Sequence, residues 1–243
     1  QAIDWFENKI SKTITEIDES YSKYRISEAL MGTYRLVWDD FCSWYLEMVK
    51  PNYGSSMDSV TYAKTIEQLE KILKLLHPFM PFLSEEIWHL IDDRKEDVIV
   101  AEWPKSDKVD EIILDDFDIV SEVVSSIRNF KKQKQIAQKD QISLFVKLNE
   151  SHCKNMDPII CKLGYIEKVE YTNNEINGSF SFRVKSNEYF IPLDGNIDIE
   201  AELEKLQKEL DYTKGFLKSV NGKLKNENFV KGAPEQVVVN EKK

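Results

Sequence analysis

The 243-residue chain is 42% hydrophobic and 31% charged, with a formal net charge of −10; it has the apolar content for a buried core but no apolar run long enough for a membrane-spanning helix. Three cysteines without a CxxC spacing, three scattered histidines and eight glycines in no phosphate-cradling pattern exclude a disulfide framework, a patterned zinc site and a nucleotide-binding glycine loop. The acidity is uneven, with 25 acidic against 13 basic side chains in residues 1–118 and 9 basic against 7 acidic in residues 201–243, so any nucleic-acid partner must be gripped locally.

The first half reads as an antiparallel helical bundle over residues 1–104. Phe6, Ile10, Ile14, Ile17 and Tyr21 recur three or four apart, and Ser27 is placed to cap a second helix. That helix carries a stripe of Ile26, Leu30, Val37, Phe41, Trp44, Tyr45 and Met48 and ends before Pro51. Its aromatics Trp38, Trp44 and Tyr45 are expected in the core. Tyr62, Ile66, Leu69, Leu73 and Leu76 predict a third helix, which Pro78 stops by removing a donor and clashing with the preceding turn. Ser84 is expected to cap a fourth, with Glu85 and Glu86 in its first turn and Ile87, Trp88 and Ile91 on its apolar face.

Residues 105–195 read as a small α+β subdomain. After a short extended piece, VIVAEWP, a helix is expected near Phe117 to Gln135 with Val120, Val123, Val124 and Ile127 inward. Arg128, Lys131, Lys132 and Lys134 crowd its last turns, as cations complementing the helix dipole or as a patch for phosphates. ISLFVKL, VEYT, SFSFRV and YFIPL alternate as strands, with a helix around Pro158 to Leu163 between the first two. In residues 196–243, Ile199, Leu203, Leu206, Leu210, Thr213, Leu217, Val220 and Leu224 form a heptad seam. This predicts a coiled-coil helix of roughly 40 Å, capped by Asp198, whose return limb is largely missing. The unpaired seam is expected to fray or to pair with a second copy. The fold class expected is therefore mainly α.

No nucleophile–base pair, acid cluster or metal-ligand spacing stands out, and neither a catalytic nor a metal residue is assigned. KISKT, Lys9 to Thr13, resembles the lysine-rich phosphate loop of class I aminoacyl-tRNA synthetases, but it falls inside a helical stripe with Ile10 facing the core.

Four segments carry a wider resemblance. YRISEALMGTYRLVWDDFCSWYLEMVKP, LLHPFMPFLSEEIW, VSSIRNFKKQKQI and NGKLKNENFVKGAPEQVV stand in the order and at the separations of the C-terminal part of valyl-tRNA synthetase. The first two resemble the isoleucine and leucine enzymes more loosely. The last, with Asn226, Phe229, Val230, Ala233, Pro234, Val237 and Val238, resembles the tip of the arm that ends the valine enzyme. The resemblance implies an anticodon-binding bundle and an arm reaching the tRNA elbow, in a chain without its own active site. The valine ligase chemistry, with ATP and magnesium, would belong to a catalytic part outside this sequence. It also implies a tRNA for valine as partner, no DNA or membrane partner, a monomeric intact enzyme and a cytoplasmic location. The residues expected on tRNA are Arg25 and Arg35 in the bundle, Arg128, Asn129, Lys131, Lys132 and Lys134 at the junction, and Lys214, Lys218, Lys223, Lys225, Lys231 and Phe229 on the arm. The family's RNIR is RNFK here, so Lys131 replaces an arginine and its bidentate fork. A coiled-coil scaffold that recruits a protein, and the isoleucine or leucine counterpart, are the alternatives.

Overall fold

The computed structural model describes residues 1–147, 153–193 and 199–225. They fall into two units, Gln1–Pro192 and Leu193–Lys243. In the first, α1 (Ala2–Ser22) packs on α2 (Ile26–Arg35), which continues through a π-helical stretch (Leu36–Tyr45) into α3 (Leu46–Val49). Next come α4 (Ser59–Leu76), α5 (Pro81–Ile91), a 3₁₀ turn (Val98–Val100) and α6 (Glu111–Gln133). None of the described helices is long and apolar enough to cross a membrane.

The α1 stripe is buried from Phe6 to Ile17 as its spacing predicts, and Trp5 joins it by stacking on Phe117 with ring centroids 3.9 Å apart. The face of α2 differs from expectation. Ile26 and Leu30 are exposed, and Ala29, Thr33 and Leu36 are buried instead. α2 packs on α1 at ordinary contact, a Cβ built on Gly32 meeting Ile17 Cγ1 at 3.5 Å. Hydrophobicity alone does not mark such a stripe. Ser27 is not the cap either; Arg25 occupies that position, with no side-chain cap hydrogen bond.

A second difference lies in the π-helical stretch. Its buried residues, Leu36, Phe41 and Tyr45, step by five and then four, the wider period of an i→i+5 ladder. Trp38 is left outside at 60% exposure, where the sequence predicts core, and Trp44 is half-buried. Asp40, in the same stretch, lies 3.4 Å from Lys9. Burial raises its pKa above the ordinary aspartate value, and Lys9 only partly opposes this. A carboxyl that holds its proton more tightly when folded loses stability as pH rises through its titration. Asp40→Asn is therefore expected to raise stability at pH 7, by roughly 0.5 kcal/mol, and to lose that gain at pH 3; thermal melts at the two pH values check it.

In α4 the buried residues are Gln68, Ile72, Leu73 and Leu75; Leu73 is buried as predicted, Gln68, Ile72 and Leu75 each stand one position before a predicted residue, and Tyr62 is exposed. Asp58 caps this helix through Thr61 N at 2.9 Å. Pro78 follows its end as expected, but Ser84 does not start α5. Pro81 opens that helix, its fixed φ suiting the first helical position. Ser84 is buried inside the first turn, with its Oγ 2.8 Å from His77 Nδ1 and donating to Met80 O at 2.9 Å. VIVAEWP is not extended at its start: Val98–Val100 forms the 3₁₀ turn, and Val98 inserts beside Leu73 and Trp88.

Asp110 caps α6 through Ile112 N, so the helix begins six residues before the predicted Phe117. Its apolar face, Leu114 to Phe130, covers α1 on one side and the sheet subdomain on the other. The four predicted strands are present: β1 (Ile142–Lys147), β2 (Ile166–Thr172), β3 (Ser179–Val184) and β4 (Asn187–Pro192), in the order β2-β1-β4-β3. α7 (Asp157–Gly164) is the crossover between parallel β1 and β2, while β4 pairs antiparallel with both β1 and β3. Lys162 ties this subdomain to the bundle by donating to Met48 O at 2.6 Å and Lys50 O at 2.7 Å, where α3 has run out of its own donors.

The second unit contains α8 (Ile199–Lys225), a 27-residue helix where the heptads predict one. Its seam residues Leu210 and Leu217 are exposed. Asp198, the expected cap, and residues 226–243, where a return limb would lie, are outside the described residues. The helix is thus shown, whereas its pairing as a coiled coil is not.

Candidate nucleic-acid interface

The sequence places two arginines near the start of the bundle, and the fold puts both beside one groove. The end of α1 and the exposed side of α2 enclose about 610 Å³, lined by Lys23, Arg25, Met31 and Arg35 together with the acidic Glu16, Glu19 and Glu28. Arg25 is 3.4 Å from Glu28 and remains solvent-exposed. The acidic rim means that an anion entering here is received by three cations set among three carboxylates.

The neighbouring surface was missed by sequence periodicity. Met31, Tyr34 and Trp38 are exposed at 50, 52 and 60%, three and four residues apart, and the exposed Arg35 stands between the two aromatics in sequence. Because Ala29, Thr33 and Leu36 face α1, the large side chains of the same helix must face water. The signal was available as that small-residue stripe. Aromatic faces interleaved with a guanidinium suit unstacked bases, which bind by stacking and by their exposed edges with few phosphate contacts.

The basic cluster of α6 divides. Arg128 donates to Leu163 O at 3.3 Å and stands 5.6 Å from the Trp44 ring centroid, so its guanidinium already bridges α7 and the π-helical stretch. Asn129 and Lys132 are exposed, and Lys134 is half-buried. Lys131 contradicts the expectation of a phosphate contact. It is fully buried, and its ammonium donates to the backbone carbonyls of Asp140 at 2.7 Å, Gly164 at 2.9 Å and Gln138 at 3.1 Å, with Tyr165 O at 3.4 Å. Burial lowers its pKa from the ordinary lysine value, and Asp140 opposes the shift. This side chain ties together the α6–β1 turn, in which Gln135 takes φ 58°.

On α8, Lys214 and Lys218 are exposed and four residues apart, on one face of the helix. The side chains of Lys223 and Lys225, and residues Phe229 and Lys231 altogether, lie outside the described residues.

KISKT is part of α1. Ser11 and Thr13 are buried, Lys9 pairs with Asp40, and Lys12 pairs with Glu111 at 2.8 Å. These residues do not fit a nucleotide phosphate, and no step of ATP chemistry is assigned to them.

Comparison with known proteins bears on both surfaces. Residues 4–146 match the anticodon-binding domain of tRNA ligases, and residues 198–243 match the valyl tRNA synthetase tRNA binding arm. The chain is similar to the valine–tRNA ligase of Christiangramia forsetii, at 53% identity over 99% of its length. It is likewise similar to those of Parabacteroides distasonis, at 45% over 100%, and Enterococcus faecalis, at 33% over 96%. In each case it spans 28% of the relative's length.

Proposed function

The chain belongs to the family of anticodon-binding domains of tRNA ligases, here joined to a valyl-type tRNA-binding arm, and from that premise we propose that it grips the tRNA for valine at two separate places. The exposed face of α2 and the π-helical stretch takes the anticodon loop: Tyr34 and Trp38 offer stacking surfaces, and Arg25 and Arg35 offer guanidinium donors. The arm takes a second, sequence-independent hold on the phosphates through Lys214, Lys218, Lys223, Lys225 and Lys231, while Lys132 and Asn129 of the first unit add further contacts. Within a full-length ligase this double grip would orient the tRNA while a catalytic part, using ATP and magnesium, attaches valine.

The observation that carries the reading is the exposed Tyr34–Arg35–Trp38 surface in a unit whose charge is otherwise acidic. A net negative bundle repels a duplex backbone, whereas stacking on unpaired bases needs little phosphate neutralisation. The test is binding of the chain to valine and isoleucine tRNA transcripts across a salt series, repeated with the five arm lysines changed to alanine. Preference for valine tRNA is expected, with a salt slope reduced by about 0.7–0.9 for each lysine that contacts a phosphate. Equal affinity for both tRNAs, with an unchanged slope in the variant, would refute the proposal.

A further inference from the structure

We propose that Glu85, His89 and Asp97 form a site for a divalent transition-metal ion, zinc or a close congener. Glu85 and His89 stand four apart in α5, so one helical turn stacks them on the same face. The chain then doubles back through residues 92–97, and both Glu85 Oε1 and Asp97 Oδ1 come to 3.1 Å from His89 Nε2. All three ligand atoms lie within 4.8 Å of one another. Metal–ligand bonds of about 2.0–2.2 Å imply donor–donor edges of roughly 2.8–3.1 Å in octahedral and roughly 3.3–3.6 Å in tetrahedral coordination, and the two closer pairs, at 3.1 Å, match the octahedral edge.

The returning loop is pinned on both sides of Asp97. Trp88 Nε1 donates to Glu96 O at 3.1 Å, and Val98 N donates to the two Glu85 oxygens at 3.0 and 3.2 Å. Trp88 is buried under the Arg94 guanidinium, 3.8 Å from the ring centroid, and Val98 is buried beside Leu73. Asp97 is thereby carried on fixed backbone, and the Val98 N–H orients Glu85 as hydrogen bonds commonly orient a ligating carboxylate.

Without a cation, His89 Nε2 is hydrogen-bonded to Asp97 Oδ1 and Glu85 accepts from Val98 N–H. Nε2 carries at most one proton and can direct it at one oxygen, yet two carboxylates face it at equal distance. A cation bound by the neutral imidazole engages both oxygens at once. One nitrogen with two carboxylate oxygens suits zinc or manganese, whereas magnesium favours oxygen ligands and keeps its water. The sequence reading assigns no metal because Asp97 joins the pair only through the fold.

The test titrates the chain with Zn²⁺ and, separately, Mg²⁺, followed by calorimetry and by NMR of the histidine rings. Zn²⁺ is expected to shift the His89 resonances ahead of those of His77 and His152, and Mg²⁺ to leave them in place. Affinity is expected to fall roughly 10-fold or more in His89→Ala and in Asp97→Asn. His89 resonances unmoved by millimolar Zn²⁺, or an affinity unchanged in both variants, would overturn the proposal. Circular dichroism checks that each variant folds, and the NMR of the unaltered chain decides the question even where a variant does not.

Discussion

Lys131→Met is expected to destabilise the Gln1–Pro192 unit by about 3 kcal/mol, a fall in Tm of roughly 6–12 °C for a unit of this size. Methionine keeps most of the volume but has no donor, and the Gln138, Asp140 and Gly164 carbonyls would face a thioether in a fully buried space. The cost of unpaired buried acceptors exceeds the worth of the bonds themselves. Lys132→Met, one residue on and exposed, is expected to stay within about 0.5 kcal/mol of the unaltered chain. Urea unfolding of the two variants side by side measures the difference. Equal midpoints would mean that the turn at residues 134–140 does not depend on the ammonium. A further consequence concerns tRNA: because carbonyls and not phosphates occupy Lys131, its loss should leave the salt slope of binding unchanged under conditions where the variant is folded.

Trp38→Ala is expected to weaken tRNA binding by about 1–3 kcal/mol, or roughly 5- to 150-fold, with no loss of thermal stability. The indole is 60% exposed and outside the packed face, so its removal leaves no cavity. Trp38→Phe should recover most of the affinity, since a stacking role asks for a ring face and not for the indole N–H. Fluorescence anisotropy with an anticodon stem-loop of valine tRNA reads the effect directly. Unaltered affinity in both Trp38→Ala and Tyr34→Ala would remove the anticodon loop from this face and return these aromatics to ordinary surface residues. The expectation differs for Trp44, which is half-buried beside Phe117 at 5.5 Å and faces Arg128; its replacement acts on packing.

Helices and strands were legible where their cause is local. Pro51 and Pro78 end helices in any surroundings, because a ring that lacks a donor and clashes with the preceding turn acts on its own chain neighbours. The stripe of α1 and the four strands follow from periods carried by adjacent residues, and so does the length of α8. The quoted segments also placed the chain beside the valine enzymes, and the two family matches agree with that reading.

The orientation of each face was not local. Ala29 and Thr33 are buried and Ile26 and Leu30 exposed because α2 turns that face toward the rest of the bundle, which depends on the neighbouring helices. Trp38, two residues past buried Leu36, then falls on the side of the helix opposite the packed face. Lys131 shows the same division at a single residue: a basic side chain in the last turns of a helix looks like a phosphate ligand, until carbonyls from residues 164 and 165 arrive around it. Sequence alone determined the long helices, the four strands and which enzymes this chain resembles, since these are written in neighbouring residues, but not the short turn at Val98–Val100. The tertiary structure decided which of those side chains meet solvent, because burial and hydrogen-bond satisfaction depend on groups brought from distant parts of the chain.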